Sequence, residues 1–173
     1  MIQRKQLRVL LSILLLGAMT VHSAYGGERE RAATVDPGAI LEKARIEHDT
    51  SSSLVVPDMD GYLVKMPGSY ALYVIMDGKR RRIQSPEVQN RVFQRTCSFY
   101  ESPFVSLIDL DADFADAHLI AANPSGALYL FVDGQLRHIA SPATVGKYCF
   151  DPGKSVAIPD VVLASIPRGR ILW

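Results

Sequence analysis

Two tyrosine–cation pairs and one pair of cysteines are the features of this 173-residue sequence most able to do chemistry. In two similar stretches a tyrosine precedes a cationic residue at the same spacing, Tyr73 with Arg82 and Tyr129 with His138. If the Asp-Gly between them closes a two-residue turn, each Tyr stands across a strand pair from its cation. Such a platform suits a sugar, a peptide stem or an anionic polymer. The competing reading makes each Tyr core and each Arg or His a cap on the sheet edge. Cys97 and Cys149 are the only cysteines, and in an exported chain two cysteines pair more often than not. The alternatives are two separate buried thiols or a catalytic thiol, against which the absence of a His near either Cys in sequence counts.

The remaining candidates are weaker. Asp109, Asp111, Asp113 and Asp116 lead up to His118, and alternating carboxylates are what a calcium loop uses. Counted from Asp109, however, the sixth residue is Phe114 and the twelfth Ile120, where an EF-hand needs Gly and Glu. The run is expected to be a solvated face or loop, without metal. Lys79, Arg80, Arg81 and Arg82 are expected to form a solvated edge strand that resists pairing. Gly153-Lys154-Ser155 ends like a phosphate loop, but the first glycine of that motif would fall on Tyr148. There is no Gly-x-Ser-x-Gly, His-Glu-x-x-His or Cys-x-x-Cys. Glu101, Asp109 and Asp111 are the carboxylates a small secreted hydrolase would draw on, because such pairs meet in space rather than along the chain.

The elements that must position these residues come from an internal repeat. Ala71 to Pro86 matches Ala127 to Pro142 with nine of sixteen residues identical: Ala, Leu, Tyr, Asp, Gly, one Arg, Ile, Ser and Pro. In each copy a run of β-formers, Asp-Gly and a strand ending in Ile predict a β-hairpin, since a type I′ turn needs positive φ at both central residues. Ser85-Pro86 and Ser141-Pro142 then open short helices near Glu87 to Phe93 and Ala143 to Tyr148. After the Ser-Pro the similarity fades, and the first copy is expected to be about four residues longer. Phe104 to Ile108 is expected as the first copy's later strand, with a helix from Leu110 to Ala115. Ser155 to Ile158 is expected as the second copy's strand, followed by helical turns from Pro159 to Ala164. Gly61-Tyr62-Leu63-Val64 echoes Gly169-Arg170-Ile171-Leu172, which suggests a Gly-led strand entering each hairpin and a last one closing the chain. A helix from about Pro37 to His48 precedes the repeats. Helices and antiparallel strands interleaved at short range predict an α+β fold of two tandem hairpin-plus-helix repeats, 54–117 and 118–173, packed as one domain.

The first 26 residues carry a different message. Arg4, Lys5 and Arg8 precede an apolar run from Val9 to Val21, and small residues follow at Ala24 and Gly26. This is a secretory signal pattern, with cleavage expected after Gly26 and a site after Ser23 nearly as good. As a helix the run would span about 20 Å, short of the roughly 30 Å of a bilayer core. Residues 27–53 follow as a solvated leader, the short helix and a Ser-rich linker. Removing 1–26 takes three bases and no acids from 19 Lys+Arg and 18 Asp+Glu. The mature chain is then slightly acidic and offers no footprint for nucleic acid. With 48% hydrophobic residues it can build a core.

The Ala-Leu-Tyr strand, Asp-Gly turn, Arg-x-Ile-x-Ser-Pro and short helix resemble a short tandem repeat of bacterial exported and cell-envelope proteins, over roughly residues 61 to 173. The resemblance implies an accessory, non-catalytic envelope module and supplies neither catalytic residues nor a cofactor. The expectation is an exported, periplasmic or extracellular protein that binds cell-wall polymer or an envelope protein through Tyr73, Arg82, Tyr129 and His138, without spanning the membrane. A hydrolase or inhibitor acting on wall polymers is the alternative.

Overall fold

Both Asp-Gly dipeptides make the turns their chemistry requires. Asp77 and Gly78 have φ of 55° and 76°, and Asp133 and Gly134 have φ of 54° and 70°, the left-handed pair of a type I′ hairpin. The computed structural model describes residues 36–47 and 53–173; the expected signal, the leader of residues 27–35, His48 at the end of the expected first helix and most of the Ser-rich linker lie outside them. The described residues belong to one compact unit, Val35–Trp173. In chain order they form α1 (Pro37–Glu47), β1 (Leu63–Lys65), β2 (Leu72–Met76), β3 (Lys79–Arg82), α2 (Pro86–Val92), β4 (Phe99–Glu101), β5 (His118–Asn123), β6 (Leu128–Val132), β7 (Gln135–His138), α3 (Pro142–Lys147), β8 (Val156–Pro159) and α4 (Asp160–Leu163). Short 3-10 turns lie at Pro57–Met59, Pro103–Leu107 and Pro152–Lys154. The fold is α+β.

The strands make two four-stranded sheets of the same topology, β3-β2-β1-β4 and β7-β6-β5-β8. In each, the hairpin lies antiparallel to the preceding strand, which pairs in parallel with a strand beyond the helix. The helices open as their sequences require: Ser85 accepts from the Val88 N–H and Ser141 from the Thr144 N–H, each with proline at the first helical position.

One core joins the repeats. Leu63, Val74, Met76 and Ile83 meet Leu119, Leu130, Val132 and Ile139, the equivalent positions 56 residues on. The inner face of each sheet is closed by that of the other repeat. The outer face of the first sheet has its own cluster, in which Leu41 of α1 packs with Val64, Tyr73, Ile75, Val105 and Ile108. The outer face of the second sheet carries Ile120, Ala122 and Leu136, covered by Leu163 and Ile166 of the chain that follows β8. No described helix is long and apolar enough to cross a membrane.

Several expectations change. The copies do not differ by four residues after the Ser-Pro. Leu63 pairs with Phe99 and Ile120 with Val156, in both cases 36 residues on, so the two stretches have equal length. Phe104 to Ile108 is not a strand, because Ser102-Pro103 repeats the Ser-Pro opening: Ser102 Oγ accepts from the Phe104 N–H at 3.2 Å and the chain turns. The strand precedes it, at Phe99–Glu101. Leu110 to Ala115 is not a helix. It runs extended beside β3, with the Arg80 N–H donating to the Asp109 carbonyl at 2.9 Å and the Phe114 N–H to that of Arg82 at 2.7 Å. That segment covers the edge that Lys79 to Arg82 were expected to leave solvated. Gly169 to Leu172 is its counterpart on the second sheet, bridged to β7 through Leu136 with Arg168 and Ile139 with Leu172. The strand that enters the second hairpin is β5, which no glycine leads.

Candidate functional site

The two hairpins place their tyrosines in register as the turns dictate, Tyr73 across from Arg82 and Tyr129 across from His138. The surroundings then separate the two pairs. Tyr73 is 7% exposed, beneath α1 and the Pro103–Leu107 turn. The cation over its ring is Arg80, 5.2 Å from the centroid, while Arg82 lies exposed. Arg80 spends its donors on backbone, Nε on the Ile108 carbonyl at 2.7 Å and Nη2 on that of Ser106 at 3.3 Å. In the first repeat the tyrosine is a core residue and its cation a brace.

In the second repeat no described helix takes the place of α1. The rings of Tyr129 and His138 sit 5.3 Å apart, and the Arg168 guanidinium lies over Tyr129, 4.9 Å from the centroid. These three, with Leu136, Gly169 and Ile171, line a cavity of about 210 Å³. Arg168 is held in place by its backbone neighbours: the Leu136 N–H donates to the Pro167 carbonyl at 2.9 Å and the Gly169 N–H to the Leu136 carbonyl at 3.0 Å. A Cβ at 169 would lie 2.9 Å from Cγ of the buried Arg137, so a larger residue there would have to displace that side chain. Sequence reasoning missed Arg168, which lies 30 residues beyond His138 and comes beside it only through the bridge to Leu136.

The other candidates are absorbed by the fold. Cys97 and Cys149 form a disulfide, with Cα atoms 6.1 Å apart. Because the copies have equal length there, the two cysteines are not equivalent positions; the counterpart of Cys149 is Phe93. Glu101 pairs with Lys65 at 2.6 Å. Asp109 accepts from the Leu54 N–H at 2.9 Å and from Ser53 Oγ, and Asp111 accepts from the Ala112 N–H at 2.8 Å. Among the described residues no three His, Cys, Asp or Glu gather as a metal would require.

A second polar cluster lies at the junction of the repeats. Asp60 Oδ1 accepts from the Gly78 N–H at 2.7 Å, and its other oxygen accepts from the buried Tyr148 hydroxyl at 3.4 Å. Burial holds the Asp60 carboxyl above its ordinary range, against the opposing pull of the Gly78 hydrogen bond and Lys147. Burial, with Asp60 nearby, pushes the Tyr148 phenol up as well. Beside them Arg137 binds Asp77 and donates from Nε to the Arg170 carbonyl at 2.8 Å. Every member is satisfied by another part of the fold, so this cluster fastens the repeats together.

The fold and site thus describe a two-repeat α+β module with an aromatic–cationic cavity on the outer face of its second sheet. Compared with described protein families, curated proteins and solved structures, the chain matches none.

Proposed function

We propose that the protein is an exported, non-catalytic binding module of the bacterial envelope, holding cell-wall glycan on the outer face of its second repeat. The observation that carries the reading is the convergence of Tyr129, His138 and Arg168 on one cavity, where the equivalent tyrosine of the first repeat, Tyr73, is buried beneath α1. An aromatic ring beside the hydrogen-bonding groups of Arg168 and His138, walled by Leu136 and Ile171, is a common way to hold a sugar: apolar C–H faces meet the ring and aliphatic side chains, and hydroxyls meet the polar groups. The disulfide fits an oxidising compartment, in keeping with the secretory pattern of residues 1–26. The resemblance of the repeat to those of exported envelope proteins points the same way.

The test is co-sedimentation of residues 27–173 with purified sacculi, at low and moderate salt, with soluble fragments assayed in the same tubes. Salt-resistant sedimentation without fragments, weakened about tenfold by Tyr129→Ala, is the expected result. Release of fragments would replace this reading with a hydrolase. Absence of sedimentation, or sedimentation indifferent to Tyr129, would overturn the assignment of the face.

A further inference from the structure

Resting on that reading, we infer that Arg168 and His138 receive a carboxylate carried on a sugar, so that the ligand is an acidic saccharide. The repeat supplies its own comparison. Arg80 and Arg168 each lie over a tyrosine ring, at 5.2 and 4.9 Å. Arg80 is committed to the Ser106 and Ile108 carbonyls. Arg168, among the described residues, makes no hydrogen bond or ion pair, and neither does the His138 ring. An arginine held over an aromatic face with its N–H donors unspent is arranged for a planar anion, because the guanidinium fork matches the two oxygens of a carboxylate.

The neighbourhood favours an anion as well. No Asp or Glu lines the cavity. The acids that could neutralise nearby cations are engaged elsewhere: Asp77 with Arg137 and Arg170, Asp133 with Arg81. The rest of the wall selects what carries the charge. Leu136 and Ile171 offer aliphatic surface to a ring of C–H groups, and the 210 Å³ of space is below the roughly 300–1,000 Å³ of clefts that take drug-sized ligands. One sugar ring with its carboxylate is matched to that volume and polarity.

The experiment is an NMR titration of residues 27–173 with methyl β-D-glucuronide, with its methyl ester, which removes only the charge, and with D-alanyl-D-alanine, which carries a carboxylate without a sugar. Expected is binding of the glucuronide about tenfold tighter than the ester or the dipeptide, with shifts centred on Gly169 and Tyr129. Arg168→Gln should abolish the preference. Arg168→Lys should keep only part of it, because the fork is lost. Arg82→Gln, at the exposed arginine of the first repeat, should change nothing. Equal binding of acid and ester, equal binding of the dipeptide, no binding of the glucuronide, or a preference that survives Arg168→Gln would each overturn the inference. If sacculi still sediment with the protein in a Tyr129-dependent way, the carboxylate assignment alone has failed. If sedimentation is lost too, the glycan reading has failed with it.

Discussion

Arg137 of the second repeat grips both carboxylate oxygens of Asp77 at the tip of the first hairpin, at 2.7 and 2.9 Å. Arg81 of the first repeat returns the contact to Asp133 at the tip of the second, at 2.6 Å. The relation is reciprocal, as in a symmetric dimer, but within one chain. It gives the shared Asp and the shared Arg of the two copies one purpose: the turn residue of each hairpin is the partner of the other repeat's arginine.

Removing one side of a buried pair leaves a charge without its partner, at a cost of about 3–5 kcal/mol. Arg137→Ala should therefore destabilise by about 3 kcal/mol, since Asp77 keeps 33% side-chain exposure. Arg81→Ala should cost less, about 2 kcal/mol, because Asp133 is 49% exposed and water can replace the lost donor. Urea unfolding of both variants, and of Arg137→Ala with Asp77→Ala, checks this. The double variant should be no less stable than the single arginine variant.

These pairings also show what sequence can reveal. Hairpins, caps and the Tyr129–His138 register are local: Asp-Gly and Ser-Pro fix φ and supply acceptors within a few residues, so they can be read one window at a time. Phe99–Glu101 escaped because three residues show no period, and Phe104 to Ile108, which does look like a strand, follows a Ser-Pro that caps a turn. The equal length of the copies was hidden by divergent residues after the helix, and it emerges only from strand register. Arg168 and the role of Arg81 and Arg137 are long-range facts. The repeat marked Arg81 and Arg137 as identical, but identity could not say that their partner was the other copy's Asp. The covering of Tyr73 by α1 was equally invisible, and it decides which tyrosine is core and which lines a site.

Cys97 and Cys149 are 52 residues apart, and the bond ties the segment after α2 to the end of α3. Closing a loop of that length removes enough unfolded-state entropy to stabilise by about 4 kcal/mol. Cys97→Ser with Cys149→Ser should lower the urea midpoint accordingly while leaving the near-UV spectrum of the folded state in place. A midpoint unchanged within error would show that the shared core alone holds the repeats.

The junction carboxyl Asp60 gives stability a pH dependence of definite sign. Its folded-state affinity for a proton is raised above the ordinary 3.8 by burial. The protonated form therefore favours folding below about pH 4. That contribution is lost as pH rises through the folded-state titration, above which the ionised group carries its desolvation penalty. Asp60→Asn keeps an acceptor for the Gly78 N–H without the charge. Melting temperatures measured from pH 3 to 7 should show the variant gaining on the wild type as pH rises and levelling off once Asp60 is ionised. Asp60→Ala should be destabilised at every pH, because it leaves the buried Gly78 N–H without its acceptor.

Tyr73 and Tyr129 occupy the same position of the two copies and should answer the same substitution in opposite ways. Tyr73 is enclosed by Leu41, Val64, Ile75, Val105 and Ile108, so Tyr73→Ala opens a cavity and should cost about 3 kcal/mol. Tyr129 borders an open cavity beside Arg168 and His138, so Tyr129→Ala should cost about 1 kcal/mol. Binding should reverse the order. Tyr129→Ala removes the surface over which Arg168 lies and should weaken sedimentation with sacculi. Tyr73→Ala, measured where it remains folded, should bind as the wild type does. Paired denaturation and sedimentation assays on the two variants separate core from site; equal binding losses would place the ligand across both repeats instead of on the second.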